Sequence, residues 1–365
     1  MNKPIFLDHH ATTPLDPRVF EAMLPYFVSE FGNASSTTHV YGWRARNAVE
    51  KARTQVASLI NCHPSEIIFT SGATESNRLI LSRYRILTSP IEHPSMLLNP
   101  LHPGEGEFDL SKSGEGLLIR PDVIFPVLKT ADLISVMLAH NEIGTINPVA
   151  ELASFSHYHN LLFHSDITQA VGRIPVDVKQ LNLDFASLSA HKIYGPKGAG
   201  ALFCRPGLDN FIETGTLNVP AIVGFGAAAE IAQREMLVES ARIMQLRDRL
   251  EQQLPFVLIN GSPTHRLPGN LNISFPNVDG ELLMLNIQND IAVSQGAACL
   301  SKRNGQSPTL IALGLSPQLA QATLRIGIGR FNNEGEIDHC VAVLKTAYQS
   351  VLRAFQYHEG EHDKL

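Results

Sequence analysis

The chain has 365 residues, 44% of them hydrophobic and 18% charged, with a formal net charge of −6. That balance excludes a disordered chain, and the acidic sign, with no long basic run, argues against direct nucleic-acid binding. At about 100–200 residues per domain the length favours two domains, and a small molecule or a protein is the expected partner.

The first eight residues hold no apolar run of signal-peptide length, so the expected compartment is the cytoplasm. No membrane span is expected: the most apolar stretch, 221–232, carries Gly224, Gly226 and Glu230 and falls short of the ~20 residues a bilayer needs. It reads instead as a buried helix entrance. Cys62, Cys204, Cys299 and Cys340 are far apart, with neither a Cys-x-x-Cys pair nor zinc-like spacing, so no metal site is expected.

In chain order, residues 43–60 predict an amphipathic helix. Strand-like runs at 66–70, 133–138, 161–164 and 200–203 then alternate with amphipathic stretches, the pattern of a mostly parallel α/β sheet. The first strand runs into Ser71-Gly72-Ala73-Thr74, a helix opening whose amides suit a phosphate, although a plain hydroxyl cap explains it equally well. His93 follows another strand end and could stack on a flat ring and shuttle protons; a structural histidine is the competing account. Asn141 could bond a ring hydroxyl or simply form a turn.

Asp166, at the end of a strand, could face a pyridine nitrogen. Lys192, just past an apolar segment and before Gly195, Gly198 and Gly200, could form a Schiff base with an aldehyde cofactor. Together they suggest pyridoxal 5'-phosphate, whereas Lys192 alone would read as a surface amine. The glycine spacing is wrong for a dinucleotide fingerprint.

Ile243, Leu246, Leu250 and Leu254 mark one face of a helix ending at Pro255, where the domain boundary is placed. Beyond it, 270–275 predicts a strand, 280–289 a helix, and the alternation at Leu324, Ile326 and Ile328 another strand carrying Arg325. That guanidinium could hold a carboxylate substrate or a structural acid. Cys299 lies in a small, glycine-flanked polar stretch, expected to be a mobile loop, with Lys302 and Arg303 favouring its thiolate. Asn333 and Glu336 predict a capping box for a last helix reaching about Phe355, followed by a polar, frayed tail.

Ordered along nearly the whole chain are Asp8 to Pro14 (DHHATTP), Gly32 to Ser36 with His39 and Gly42, Ser71 to Asn77, Glu92-His93 and Asn141 to Gly144. They are followed by Asp166 to Gln169, Ser189 to Lys192, Gly215-Thr216, Ala298-Cys299 and Arg325 to Phe331. On these motifs the chain resembles the cysteine desulfurases, pyridoxal phosphate enzymes of the aminotransferase class V group.

The resemblance implies an α/β, aspartate aminotransferase-like PLP-dependent transferase fold. A large mostly parallel-sheet domain would span 15–255, and a small α+β domain would comprise 1–14 and 256–365. Lys192 would hold the cofactor, Asp166 its ring nitrogen, and Gln169 and Asn141 its hydroxyl side. Ala73, Thr74, Ser189 and His191 would lie at its phosphate, with Thr216 reaching the neighbouring subunit's site. His93 would stack on the ring, Arg325 with Asn141 would bind the substrate L-cysteine, and Cys299 would take the sulfur.

Also implied are a homodimer with shared active sites and a sulfur-acceptor protein serving iron-sulfur clusters, tRNA thiolation or DNA sulfur modification. Two departures stand out. The glycine-rich segment the family carries before Gly215 is shortened, and His10 stands where the family favours a smaller residue. A carbon-sulfur lyase on the same scaffold and a non-catalytic scaffold subunit are the alternative readings.

Overall fold

The computed structural model describes residues 3–97, 116–120, 131–208, 211–295 and 307–362, with side chains to 354. Its twelve strands among those residues are β1 (Ile5–Phe6), β2 (Ile67–Thr70), β3 (Ile86–Thr88), β4 (Leu133–Ser135), β5 (Leu162–Asp166) and β6 (Phe185–Ser189), then β7 (Gly200–Cys204), β8 (Leu258–Asn260), β9 (Asn270–Ser274), β10 (Ile291–Ala292), β11 (Ser294–Gln295) and β12 (Thr323–Gly327). Six of them form a sheet in the order β2-β7-β6-β5-β4-β3. The pairs from β3 through β6 are parallel, while β7 runs antiparallel to both β6 and β2.

Both faces of this sheet are covered, so its strands read as continuous apolar runs instead of alternating. Along β6 and β7, Phe185 and Leu202 belong to a smaller cluster on one face, while Ala186, Leu188, Ala201 and Phe203 join the main core on the other. The helix Val40–Leu59 covers the main core, its N-terminus capped by His39 Nδ1, which accepts from the Gly42 amide at 3.2 Å. Its buried stripe of Ala45, Ala48, Ala52 and Val56 is small enough for close approach to the helix Val219–Gln252. Gly226 is required there: a Cβ at that position would lie 2.7 Å from the Ala52 Cβ.

Two stretches read separately in the sequence, 221–232 and 243–254, are one helix, Val219–Gln252. Its first half packs Phe225, Ala228 and Ala229 into the main core; its second half packs Ile243, Leu246 and Leu250 into a separate cluster with Leu271, Leu324 and Ile337. No helix breaker stands between 232 and 243, so the chain keeps its hydrogen-bonded register while the apolar partner changes. The second cluster lies against an antiparallel sheet ordered β11-β12-β9-β8. Asn333 and Glu336 do form the reciprocal cap, at 3.1 and 3.2 Å. The helix they open, Glu334–His362, continues past Phe355 where a frayed tail was expected.

The N-terminal segment stitches the two halves together. β1 pairs in parallel with β10, and Asp8 bridges to Gly327. The chain then crosses to the large sheet, where Thr13 Oγ1 donates to the His191 carbonyl (2.9 Å) and accepts from the Tyr194 amide (2.9 Å). No helix among the described residues is long and apolar enough to cross a membrane.

Candidate active site

The strands β2 to β6 end at the same sheet edge, because β7 alone among the six is reversed. Open α/β sheets collect their ligands at the carboxyl ends of the strands. A cavity of about 470 Å³ lies there, and each strand end delivers a side chain to it. Gly72, Ala73 and Thr74 follow β2, His93 follows β3, Asn141 follows β4, Asp166 closes β5, and Ser189, His191 and Lys192 follow β6.

Lys192 ends a short 3-10 turn, Ala190–Lys192, and its Nζ donates to the carbonyls of His10 and Ala11, the latter at 2.8 Å. Burial first, then the nearby Arg173 and Arg325, pull its amine down to about 7. Such an amine is substantially unprotonated at neutral pH and can attack a carbonyl carbon.

The carboxylate of Asp166 is held from two sides. Asn77 Nδ2 donates to Oδ2 at 3.0 Å, and the Thr168 amide donates to Oδ1 at 3.0 Å. Asn77 Nδ2 also donates to Ser95 Oγ at 2.8 Å, and Ser95 Oγ lies 2.7 Å from His93 Nδ1. With the Ser95 amide also directed at Nδ1 (3.2 Å), that nitrogen accepts and Nε2 carries the ring proton. Burial lowers the His93 pKa, which keeps the ring neutral. His191 contacts Thr12 Oγ1 through Nδ1 at 3.1 Å and is lowered to about 4, chiefly by burial and then by Lys192.

Of the two accounts open in the sequence, Arg325 has the structural acid. It is paired with Asp8 at 2.9 Å, and its guanidinium also donates to Ser294 Oγ (3.1 Å) and to the Asn141 carbonyl (3.2 Å). Its Nε, however, is buried without a partner among the described residues, and the side chain lines the cavity. Gln169 also lines the cavity, yet its amide is engaged: Nε2 donates to the His10 carbonyl at 2.9 Å and Oε1 accepts from Arg173.

Thr216 is exposed and does not line this cavity. Cys299 lies outside the described residues, but both flanks of its segment are placed. Ser294 pairs across the sheet with Arg325 and donates to Asp8 at 2.7 Å, while Ser307 donates to Glu142 at 2.8 Å.

Sequence reasoning missed Arg173, Asn77, Thr12 and Lys197 and treated His10 only as a departure. Arg173 is half-buried against His10 and Gln169, and an arginine four residues after Gln169 carries no signal of those contacts. The shortened segment before Gly215 has its own anchor: Glu213 accepts from Arg53 (2.7 and 3.1 Å) and from the Phe69 amide at 2.7 Å.

The profile of the aminotransferase class-V family matches residues 5–213 and 207–340. The chain therefore belongs to that family. A cysteine desulfurase IscS of Anaeromyxobacter dehalogenans is 43% identical, with 93% of this chain and 91% of the relative aligned. A solved NifS-like protein from Rickettsia africae superposes with a TM-score of 0.84 at 30% identity, covering 95% of this chain and 99% of the other. SspA, solved in complex with cysteine, gives a TM-score of 0.77 at 29% identity, covering 91% of this chain and all of the other. Within class V, the chain belongs with the cysteine desulfurases.

Proposed function

We propose that the protein is a pyridoxal phosphate-dependent cysteine desulfurase that converts L-cysteine to L-alanine and takes the sulfur on Cys299. One observation carries this reading: Lys192, with an amine near neutrality, and Asp166, a firmly oriented carboxylate, line one cavity at the ends of adjacent strands.

The residues fit the cofactor. A near-neutral amine can join its aldehyde, Asp166 suits a ring nitrogen, the neutral His93 offers a flat partner, and the opening turn of Ala73–Leu81 offers free amides to a phosphate. When bound, the group supplies an electron sink for the carbanion formed at the substrate Cα.

The chain's own residues do the rest. Lys192 Nζ is the base that removes the Cα proton. Arg325 orients the substrate through its carboxylate, and Asp8 fixes the guanidinium so that Nε remains for that contact. The Cys299 thiolate attacks the substrate sulfur; the Cβ–S bond breaks, a sulfur–sulfur bond forms, and Cβ takes a proton to give alanine. Sulfur is oxidised to the persulfide level as Cβ is reduced, so no external oxidant is needed. The persulfide then passes to an acceptor protein.

The same reading makes the enzyme a cytoplasmic homodimer in which Thr216 serves the partner's site. Its exposure away from its own cavity supports this, as do the exposed Phe20, Phe27, Phe31 and Trp43 near the N-terminus.

The test is to supply cysteine and a reductant to the reconstituted protein. Alanine and sulfide should form in equal amounts, Cys299→Ser should carry no persulfide, and Lys192→Ala should retain no visible cofactor band. Sulfide accompanied by pyruvate would identify a carbon-sulfur lyase instead.

A further inference from the structure

We infer that His10 supplies a hydrogen-bond donor, Nε2–H, to an anionic oxygen bound in the cavity, either the ring oxygen of the cofactor or the carboxylate of the amino acid. The inference rests on the function proposed above and adds His10 to that site.

His10 is only 2% exposed and lines the cavity. Its Nδ1 lies 2.8 Å from Arg173 Nη1 and 3.0 Å from Gln169 Oε1. The Gln169 amide is oriented by its own bond from Nε2 to the His10 carbonyl, so its oxygen is the atom turned toward Arg173. A guanidinium has only donors and Gln169 Oε1 only accepts; because that oxygen already accepts from Arg173 and lies farther from Nδ1, 3.0 against 2.8 Å, we assign the Nδ1 lone pair to Arg173. The proton of the neutral ring consequently sits on Nε2.

Nε2 is buried and has no partner among the described residues. A buried donor left unsatisfied destabilises the fold, and a ligand is one way to recover that loss. Arg325 Nε is a second buried donor on the same lining without a partner among the described residues, and Arg173 adds positive charge beside the ring. This wall is therefore built for an anion. Gln169, with both ends of its amide engaged, leaves the His10 ring as the free donor. The backbone accommodates the larger side chain at one point in particular: a Cβ at Gly327 would lie 2.8 Å from His10 Cδ2.

The experiment compares full-length wild type with His10→Ala and His10→Gln, the latter keeping a donor. Three quantities are read: the dissociation constant for pyridoxal phosphate, the wavelength and pH midpoint of its visible band, and the dissociation constant for L-alanine. Loss of one hydrogen bond to a charged oxygen should weaken one of the two affinities about tenfold in His10→Ala, with partial rescue in His10→Gln.

A weaker cofactor constant with a moved band assigns the ring oxygen; a weaker alanine constant with an unchanged band assigns the carboxylate. Nitrogen NMR of labelled histidine in the wild-type apoprotein should place the proton on Nε2, a readout that stands even if His10→Ala does not fold. A proton on Nδ1, or both affinities within about twofold of wild type in folded His10→Ala, overturns the inference while leaving the desulfurase reading intact. Wild type that fails to bind the cofactor overturns both.

Discussion

Asn77 holds the carboxylate of Asp166 at 3.0 Å while its other amide hydrogen reaches Ser95 Oγ at 2.8 Å, and Ser95 in turn contacts His93. The Asp166 carboxylate and the His93 imidazole are thus positioned by one fully buried side chain. Replacing Asn77 by Ala should cost about 1–3 kcal/mol in stability and loosen Asp166. Cofactor affinity should fall in the same variant. Asn77→Asp, which sets a second carboxylate against the first, should weaken cofactor binding further than Ala does. Equilibrium titration of cofactor into both variants checks the order; Asp binding as tightly as Ala would sink the argument.

The Lys192 amine should titrate near pH 7 in the apoprotein instead of near 10.5. Its rate of modification by an amine-selective reagent, measured by peptide mapping across pH 6 to 10, should reach half its plateau at about 7. A midpoint above pH 9 would show that the amine is neither buried nor crowded by cations. The lowered value also has a stability consequence. Between about 7 and 10.5 the unfolded chain binds a proton that the folded chain lacks, so the destabilising contribution of Lys192 diminishes as pH rises through that window.

Glu142, beside Asn141, is pushed up to about 7 by burial, although Ser307 donates to it at 2.8 Å. Between 4.5 and 7 the folded chain keeps a proton that the unfolded chain has lost, so this group subtracts stability as pH rises through that range. Glu142→Gln should therefore gain in melting temperature relative to wild type at pH 8 and show less advantage at pH 5. A difference that does not change with pH would mean that Glu142 is ionised throughout.

Arg330 is buried between Asp16 at 2.7 Å and Glu239 at 2.7 Å, with its guanidinium over the Tyr194 ring at 4.2 Å. Tyr194 follows the Lys192 turn, and its hydroxyl accepts from the Arg330 amide. Removing the cation leaves Glu239 without the partner it has here, while Asp16 keeps Arg18 at 2.9 Å, so Arg330→Met should cost about 3–5 kcal/mol by chemical denaturation. Restoring the balance with Glu239→Gln in the same chain should recover part of that loss.

How much of this was legible in the sequence depended on whether the cause was local. The Asn333–Glu336 cap, the small-residue opening at Gly72 to Thr74, Asp166 at the end of a strand and Lys192 just after one could all be read from neighbours a few residues away. The single 34-residue helix Val219–Gln252 could not, because its two halves bury their apolar residues in two different cores. Nor could Arg325's dual attachment, since Asp8 is 317 positions away along the chain.

The sequence by itself determined the alternation of strands and helices, and with it the placement of a nucleophilic amine, an acid and an imidazole at strand ends. Only the tertiary structure decided that those ends meet. Parallel pairing of β3 through β6 aligns their carboxyl termini on one edge, and the N-terminal crossing from Asp8 to Thr13 brings His10 against Arg173 and Gln169. Such contacts depend on strand order and on a crossover between distant segments, which periodicity along a single stretch does not encode.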